Sequence, residues 1–191
     1  MHHPLPPRGS RALSTLHAGG LVLMPTANLW QLTATIRHPQ AIDRLLAACP
    51  PAGAGRPELI FADRETLWRW CPRIAPRLDG LLVYHQRPLT LLVKAGRDVP
   101  LRLVDENGEV AVRLAGDSFC SRLCEDLEGP LVASLAMGVG ASEFPTSFGK
   151  VRSDVLRAAN YTVARRQRDV ISPHPAVAVR LNDEGELSFL R

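Results

Sequence analysis

The sequence predicts an α/β domain in which a sheet packs against helices. Short apolar runs typical of buried strands alternate with longer segments whose apolar residues recur at helical spacing, with no internal repeat and no evident linker. The chain has 191 residues, 46% hydrophobic and 22% charged, which suits one globular domain. We predict a single domain over residues 12–191, preceded by a Pro-rich, disordered tail over residues 1–11.

Two strands and two helices are predicted in the N-terminal half. The run LVLM before Pro25 is bounded by Gly-Gly and Pro and is too short for a helix, so it predicts a buried strand. Residues 38–49 place apolar side chains at helical spacing and end at a Pro-Pro stop. ELIFAD, residues 58–63, predicts another strand, and Asp63 is positioned to cap a helix over RETLWRWC.

The middle of the chain is interpreted as a series of strands. Residues 78–96 contain two apolar segments around a His-Gln-Arg-Pro break, and we interpret both as strands. EVAVRLAG, residues 109–116, predicts a short strand with alternating valines. Its candidate partner is PLRLVDE, residues 100–106, across an Asn-Gly turn.

The C-terminal third predicts a helix followed by strands. SFCSRLCEDL, residues 118–127, gathers its apolar residues on one helical face. GPLVASLAMGVG, residues 129–140, predicts a buried strand and then a glycine-rich loop. Residues 176–191 predict a final strand pair around an Asp-Glu-Gly turn.

The positive charge of the chain is carried almost entirely by arginine. The net charge is +4, and Lys94 and Lys150 are the two lysines. Arginine favours planar, bidentate grips on phosphate or carboxylate, although a base-composition bias of the genome explains the same excess. The densest cluster, ARRQR, contains Arg165, Arg166 and Arg168. It is interpreted either as a candidate RNA-binding patch or as a solvated helix end.

Composition also limits where the protein works. No apolar run reaches the roughly 18 residues needed to span a bilayer, and MHHPLPPRGSR lacks the apolar core of a signal peptide. The four cysteines are too few and too irregularly spaced for a disulfide scaffold. We therefore expect a cytoplasmic protein with no membrane partner.

General catalytic and metal motifs are largely missing. There is no Walker A sequence, and GVGAS, residues 138–142, lacks the third glycine of a dinucleotide fingerprint. Cys120 and Cys124 have no second pair at metal-ligand spacing, so we expect buried structural thiols and no metal site. His85 has no accompanying nucleophile motif and is interpreted as structural.

The collinear order of the segments carries more information than any single motif. A strand ending in Pro-Thr is followed by a helix, RPLTLLV, AVRLAG, a second helix and GPLVASLAMGVG. This order resembles the YrdC-like family, which includes the threonylcarbamoyl-AMP synthases, from about Gly19 to Val155. The resemblance implies a twisted mixed sheet flanked by helices around a positively charged cavity. It also implies ATP and Mg as cofactors wherever the family activity persists.

Active members of that family condense threonine, bicarbonate and ATP and release pyrophosphate, and their first motif reads P-T-E-T-x-Y-G-L. Here Pro25 and Thr26 are retained, whereas Ala27 replaces the acid and Asn28 replaces the second threonine. Two further replacements follow, Trp30 for the tyrosine and Gln31 for the glycine. The start of the loop is retained and its polar end is not.

The basic motif of the family, K-x-R-P-x-x-K-P-L, departs furthest. Without a gap, its Lys, Arg and Lys positions fall on Cys49, Pro51 and Gly55. Arg56, one position further on, is a candidate substitute for one of these cations. The cationic side chains expected to bind a triphosphate are therefore largely missing.

The remaining motifs are mixed. Thr90 is retained in RPLT, where Arg87 replaces the family glycine, and Arg113 is retained in AVRLAG. Leu135 and Met137 replace the Ser and Asn of the last motif, S-A-N-x-S-G. By family position, the candidate nucleotide- or substrate-binding residues are Thr26, Asn28, Arg56, Thr90 and Arg113.

These departures predict a divergent member with weak or no synthase activity. One hypothesis is that it still binds nucleotide, or binds double-stranded RNA or tRNA, because charge and shape suffice for duplex recognition. A second is an enzyme with an altered substrate in the remnant pocket. A third is a structural or interaction protein whose cavity is filled by side chains such as Trp30, Leu135 and Met137.

Overall fold

The computed structural model describes residues 7–51, 56–85, 87–140, 143–169, 176–182 and 184–190. Within these ranges the chain forms nine strands and six α-helices. The strands are β1 (Val22–Pro25), β2 (Trp30–Thr35), β3 (Glu58–Phe61), β4 (Leu89–Lys94), β5 (Glu109–Leu114), β6 (Leu131–Leu135), β7 (Tyr161–Thr162), β8 (Val177–Leu181) and β9 (Leu187–Phe189). The helices are α1 (Pro7–His17), α2 (Pro39–Ala48), α3 (Arg64–Trp70), α4 (Pro76–Tyr84), α5 (Ser118–Asp126) and α6 (Ser153–Ala158).

All nine strands belong to one mixed sheet, in the order β7-β1-β2-β6-β3-β5-β4-β8-β9. β1 and β2 form an antiparallel hairpin, and β2 continues antiparallel to β6. The centre is mixed, because β3 pairs parallel with β5 and antiparallel with β6. This architecture confirms the predicted α/β class with a mixed sheet flanked by helices.

The two faces of the sheet bury separate cores. Successive side chains of a strand point to opposite faces: Leu23 lies in a large first core, whereas Met24 lies in a smaller second core. Helices α2, α3, α4 and α6 contribute to the first core. Helices α1 and α5 cover the second, through residues such as Leu16 and Phe119.

Local sequence signals set the helix starts. The Asp63 carboxylate accepts a hydrogen bond from the Thr66 N–H at 2.7 Å, as its predicted N-cap role requires. Asp117 caps α5 in the same way, accepting from the N–H groups of Phe119 and Cys120. α2 begins at Pro39, whose missing N–H costs nothing in the first turn of a helix.

Residues 78–84 form part of α4, so the strand predicted there is wrong. Pro76 occupies the first turn, where it favours a helix start. Leu78, Leu81 and Leu82 then recur at helical spacing and pack on the first core. The adjacent apolar residues obscured this periodicity in the sequence.

The predicted partner of β5 is also wrong. Residues 101–103 of PLRLVDE form a 3-10 turn, and β5 pairs with β4 and β3. The cause is Asp105, whose carboxylate accepts the N–H groups of Asn107 and Glu109 and closes a turn. The sheet then continues through β4, which is buried over most of its length.

Ordered structure begins earlier than expected. α1 starts at Pro7, five residues before Ala12, and buries Ala12 and Leu16 in the second core. Residues 1–6 of the predicted tail lie outside the described residues. No helix in the described part of the chain is both long and apolar enough to cross a membrane.

Candidate functional site

Four polar side chains meet on the second-core face of the sheet, and we call them the buried polar cluster: Gln31 on β2, Glu58 on β3, Thr90 on β4 and Arg113 on β5. Glu58 shares a face with Ile60, a second-core residue two positions on. Arg113 is only 1% exposed and Glu58 7%. Charges this deeply buried require compensation from within the protein.

Arg113 and Glu58 supply that compensation to each other. The Arg113 Nε atom lies 2.9 Å from Glu58 Oε1, although its N–H is not directed along that line, so this is a charge contact. Gln31 bridges the pair, because its Nε2 donates to Glu58 Oε1 at 2.6 Å and its Oε1 accepts from Arg113 Nη2 at 2.7 Å. Thr90 Oγ1 donates to Glu58 Oε2 at 2.9 Å.

The loop between β1 and β2, residues 26–29, lies at one side of this cluster, and we call it the remnant loop because it retains only part of the family's first motif. Asn28 Oδ1 is 3.5 Å from Arg113 Nη1, a long hydrogen bond. Thr26 is one step further out: its hydroxyl donates to the Leu29 carbonyl at 2.8 Å and lies 3.5 Å from Asn28 Oδ1. The structure thus brings together Thr26, Asn28, Thr90 and Arg113 from three separate sequence motifs.

The cluster is electrically neutral, with one guanidinium and one carboxylate. Removing one member of such a buried pair typically costs about 3–5 kcal/mol, because the other charge stays behind unpaired. Each of the two charges therefore has the other as its partner. Whether any of the four motif residues binds a ligand stays a prediction.

Trp30 and Leu135, two of the replacements in the family motifs, lie on opposite faces of the sheet. Trp30 precedes Gln31 on β2 and therefore points to the opposite face, where it is fully buried in the first core with its ring centroid 5.1 Å from that of Phe148. Leu135 pairs directly with Gln31 across β2 and β6, which places it beside the cluster. Trp30 is thus a packing residue, whereas Leu135 borders the remnant site.

Arg56 lies apart from the cluster. Its guanidinium pairs with the Asp105 carboxylate, and both residues line a pocket of about 310 Å³ together with Glu106 and Glu109. Burial raises the pKa of Asp105, but the Glu109 N–H and the Arg56 guanidinium lower it more, so it lies below its ordinary value of 3.8. The predicted substitute cation already has an anionic partner.

One of the three predicted RNA-binding arginines, Arg166, contacts the loop after β1. Arg165 stacks its guanidinium 4.7 Å from the Phe119 ring centroid, and Arg168 is exposed. Arg166 donates to the Thr26 carbonyl at 3.3 Å and pairs with Asp169 at 3.2 Å. Within the described residues, no carboxylate forms an ion pair with Arg165 or Arg168, whereas Arg166 pairs with Asp169.

A second pocket, of about 440 Å³, is lined by three of the segments that match family motifs. Ala27 comes from the remnant loop, Arg87 and Pro88 precede β4, and Gly116 follows β5. His85 also lines it, with its Nδ1 2.8 Å from the Arg87 carbonyl. A carbonyl only accepts, so Nδ1 is the donor in this contact.

The cysteines have the character of structural thiols. Burial raises the pKa of Cys49 and of Cys71 to about 11, and that of Cys124 to about 12. Thiols with such pKa values are almost wholly protonated at neutral pH and are poor nucleophiles. No group of three His, Cys, Asp or Glu side chains in the described ranges is arranged to hold a metal ion.

Glu58 is the principal residue that the sequence analysis did not identify as part of the site. The sequence did carry a partial signal, because Glu58 opens the strand predicted over ELIFAD and a carboxylate requires a partner if that strand is buried. Gln31 was recognised only as a replacement for glycine. Its bridging role depends on the register of β2 against β6, which the sequence does not reveal.

Comparisons with known proteins point to one family. A Sua5/YciO/YrdC family model, described as "Telomere recombination", matches residues 14–191. The chain is 30% identical over 137 residues to the threonylcarbamoyl-AMP synthase of Halorhodospira halophila, covering 69% of each protein. It is 28% identical over 133 residues to the synthase of Stenotrophomonas maltophilia, covering 65% of this chain and 69% of that protein.

Solved structures show the same fold. Escherichia coli YciO superposes with a TM-score of 0.83 at 16% identity, covering all of this chain and 92% of YciO. Pyrococcus abyssi Sua5 complexed with L-threonine superposes with a TM-score of 0.79 at 22% identity, covering 96% of this chain. The match spans only 53% of that Sua5 chain, so the likeness concerns about half of its length.

Proposed function

The chain belongs to the Sua5/YciO/YrdC family and is related to the threonylcarbamoyl-AMP synthases, and from this premise we propose that it has weak or no synthase activity and binds nucleotide or double-stranded RNA. The observation that carries the proposal is the neutralisation of Arg113. The one family-position arginine retained in the cluster lies 2.9 Å from the Glu58 carboxylate and is 1% exposed.

The other motif positions support the same conclusion. Cys49 is a buried thiol where the family has a cation, and Pro51 is an uncharged ring. Gly55, the third such position, lies outside the described residues. Arg56 is engaged by Asp105. Losing a single electrostatic stabiliser typically lowers a rate about 100- to 1000-fold, so losing several makes efficient condensation with ATP improbable.

Pyrophosphate release tests the loss of activity. The chain is incubated with ATP, Mg²⁺, threonine and bicarbonate, and the Halorhodospira halophila synthase serves as the active reference. We expect release at least about 1000-fold slower than the reference, equivalent to the loss of one or two stabilisers. A rate within tenfold of the reference would refute the proposed loss.

Duplex RNA binding is supported by Arg165 and Arg168, two exposed cations of the ARRQR segment for which no carboxylate partner is found among the described residues. Filter binding of a duplex RNA across a salt series measures the affinity. We expect the Arg165→Ala/Arg168→Ala double variant to bind more weakly and to lose about one unit of salt slope per lost phosphate contact. The matched control replaces the exposed Arg73 and Arg97, which lie elsewhere, and should change neither quantity.

A pocket ligand is the second candidate function, favoured by the 440 Å³ pocket at three motif segments. Thermal unfolding with a panel of nucleotides and smaller anions tests it. A ligand that raises the melting temperature of the native chain but not of Arg87→Ala would support this function. If neither RNA nor any panel compound binds and no pyrophosphate forms, a structural or interaction role is favoured.

A further inference from the structure

The Glu58 carboxylate is held like a bound ligand. It receives a hydrogen bond from Gln31 Nε2 at 2.6 Å and one from Thr90 Oγ1 at 2.9 Å, and it lies 2.9 Å from Arg113 Nε. Each carboxylate oxygen has at least one of these partners. Two donors and one guanidinium around a carboxylate, shielded from water, form a complete anion receptor.

The receptor groups come from other strands than the carboxylate. Gln31 lies on β2, Thr90 on β4 and Arg113 on β5, whereas Glu58 lies on β3. Arg113 is also held independently, because its Nη2 donates to Gln31 Oε1 at 2.7 Å. Removing the carboxylate therefore deletes the occupant without removing any of the receptor groups.

We propose that the buried polar cluster is a binding site for a small monocarboxylate, and that the native chain occupies it with its own Glu58 side chain. The inference rests on the proposed function in one respect, the pairing of Arg113 with Glu58. It goes further in assigning a ligand class to the cluster and in naming one side chain as the group that closes it.

Atom matching identifies the probe. Beyond Cβ, a glutamate side chain is a CH₂ group and a carboxylate, with the same heavy atoms as acetate. Glu58→Ala therefore creates a space of the size and polarity of acetate, lined by an uncompensated guanidinium. A branched carboxylate such as pivalate has three more carbon atoms and exceeds that space. Glu58→Gln is the matched control, because its amide fills the space.

The test is thermal unfolding of the native chain, Glu58→Ala and Glu58→Gln in sodium acetate, with sodium chloride at equal ionic strength as reference. Acetate should raise the melting temperature of Glu58→Ala with the logarithm of its concentration above the dissociation constant, by about 3–6 °C at ten times that constant. Pivalate should not do so. The melting temperatures of the native chain and of Glu58→Gln should each be the same in acetate as in chloride. Adding Thr90→Val to Glu58→Ala should weaken the acetate response.

Glu58→Ala carries an unpaired buried cation and can be poorly folded in chloride. Recovery of its cooperative unfolding transition in acetate would then support the proposal. A variant that neither gains stability nor recovers its fold in acetate would overturn it, as would an equal acetate effect on all three proteins. None of these results depends on pyrophosphate release, so this site and the proposed loss of synthase activity succeed or fail separately.

Discussion

Replacing Glu58 by glutamine should destabilise the protein far more than a charge-removing substitution at the surface. Glutamine has nearly the same size and keeps one acceptor oxygen, so the change removes the charge and one of the two acceptor atoms without leaving a cavity. Arg113, 1% exposed, is left without an anion. Breaking a buried pair typically costs about 3–5 kcal/mol, and solvent screening is slight because the Glu58 side chain is 9% exposed. For a chain of this length we expect the melting temperature to fall by roughly 6–20 °C.

The matched control is Glu128→Gln, which removes the partner of Arg37. That pair lies 3.5 Å apart with side chains 56% and 82% exposed, so its loss should cost less than about 1 kcal/mol. Urea unfolding measures both free energies. The double variant Glu58→Gln/Arg113→Met should recover part of the loss, because it removes the stranded charge. If Glu58→Gln lowers the free energy of unfolding no more than Glu128→Gln does, the buried pair does not stabilise the fold as expected.

Further outcomes follow from individual contacts. The pKa of Asp105 is lower in the folded than in the unfolded chain. The stability that Asp105 contributes is therefore complete above its unfolded pKa and is lost as the pH falls through its folded pKa. In urea unfolding measured across pH, Asp105→Asn should reduce this loss of stability in acid. Gly96→Ala should lower the free energy of unfolding strongly, because the new Cβ would lie 1.8 Å from the Trp70 carbonyl oxygen. Gly80→Ala lies in open space within α4 and should raise the free energy of unfolding by about 0.5–1 kcal/mol in the same assay. The four buried cysteines should resist a thiol reagent at neutral pH until urea unfolds the chain.

Local signals predicted much of the sheet and the helix starts. Asp63 and the apolar residues after it identified α3, and the bounded run before Pro25 identified β1. β2 was missed because its polar residues, such as Gln31 and Thr33, are buried in the interior instead of facing solvent. Burial of a polar side chain depends on partners far along the chain, which local patterns do not contain.

The candidate site was predictable only in part, for the same reason. Motif order led to Thr90 and Arg113, and these two do share the Glu58 carboxylate as a partner. Taken one position at a time, the family motifs imply an external ligand for Arg113. The parallel register of β3 against β5 sets Glu58 opposite Ala111 and Ile60 opposite Arg113. Glu58 and Arg113 therefore share a face of adjacent strands, two positions apart, and their side chains can pair.

Retention of Arg113 is therefore not a sign of retained chemistry. A guanidinium at 1% exposure needs an anion whether or not the protein has a substrate, because an unpaired buried charge costs several kcal/mol. Once Glu58 supplies that anion, replacing Arg113 alone would strand the carboxylate at a similar cost. The two residues thus constrain each other through stability alone, without any catalytic requirement. It follows that Arg113 becomes informative about function only in a variant whose Glu58 carboxylate has been removed.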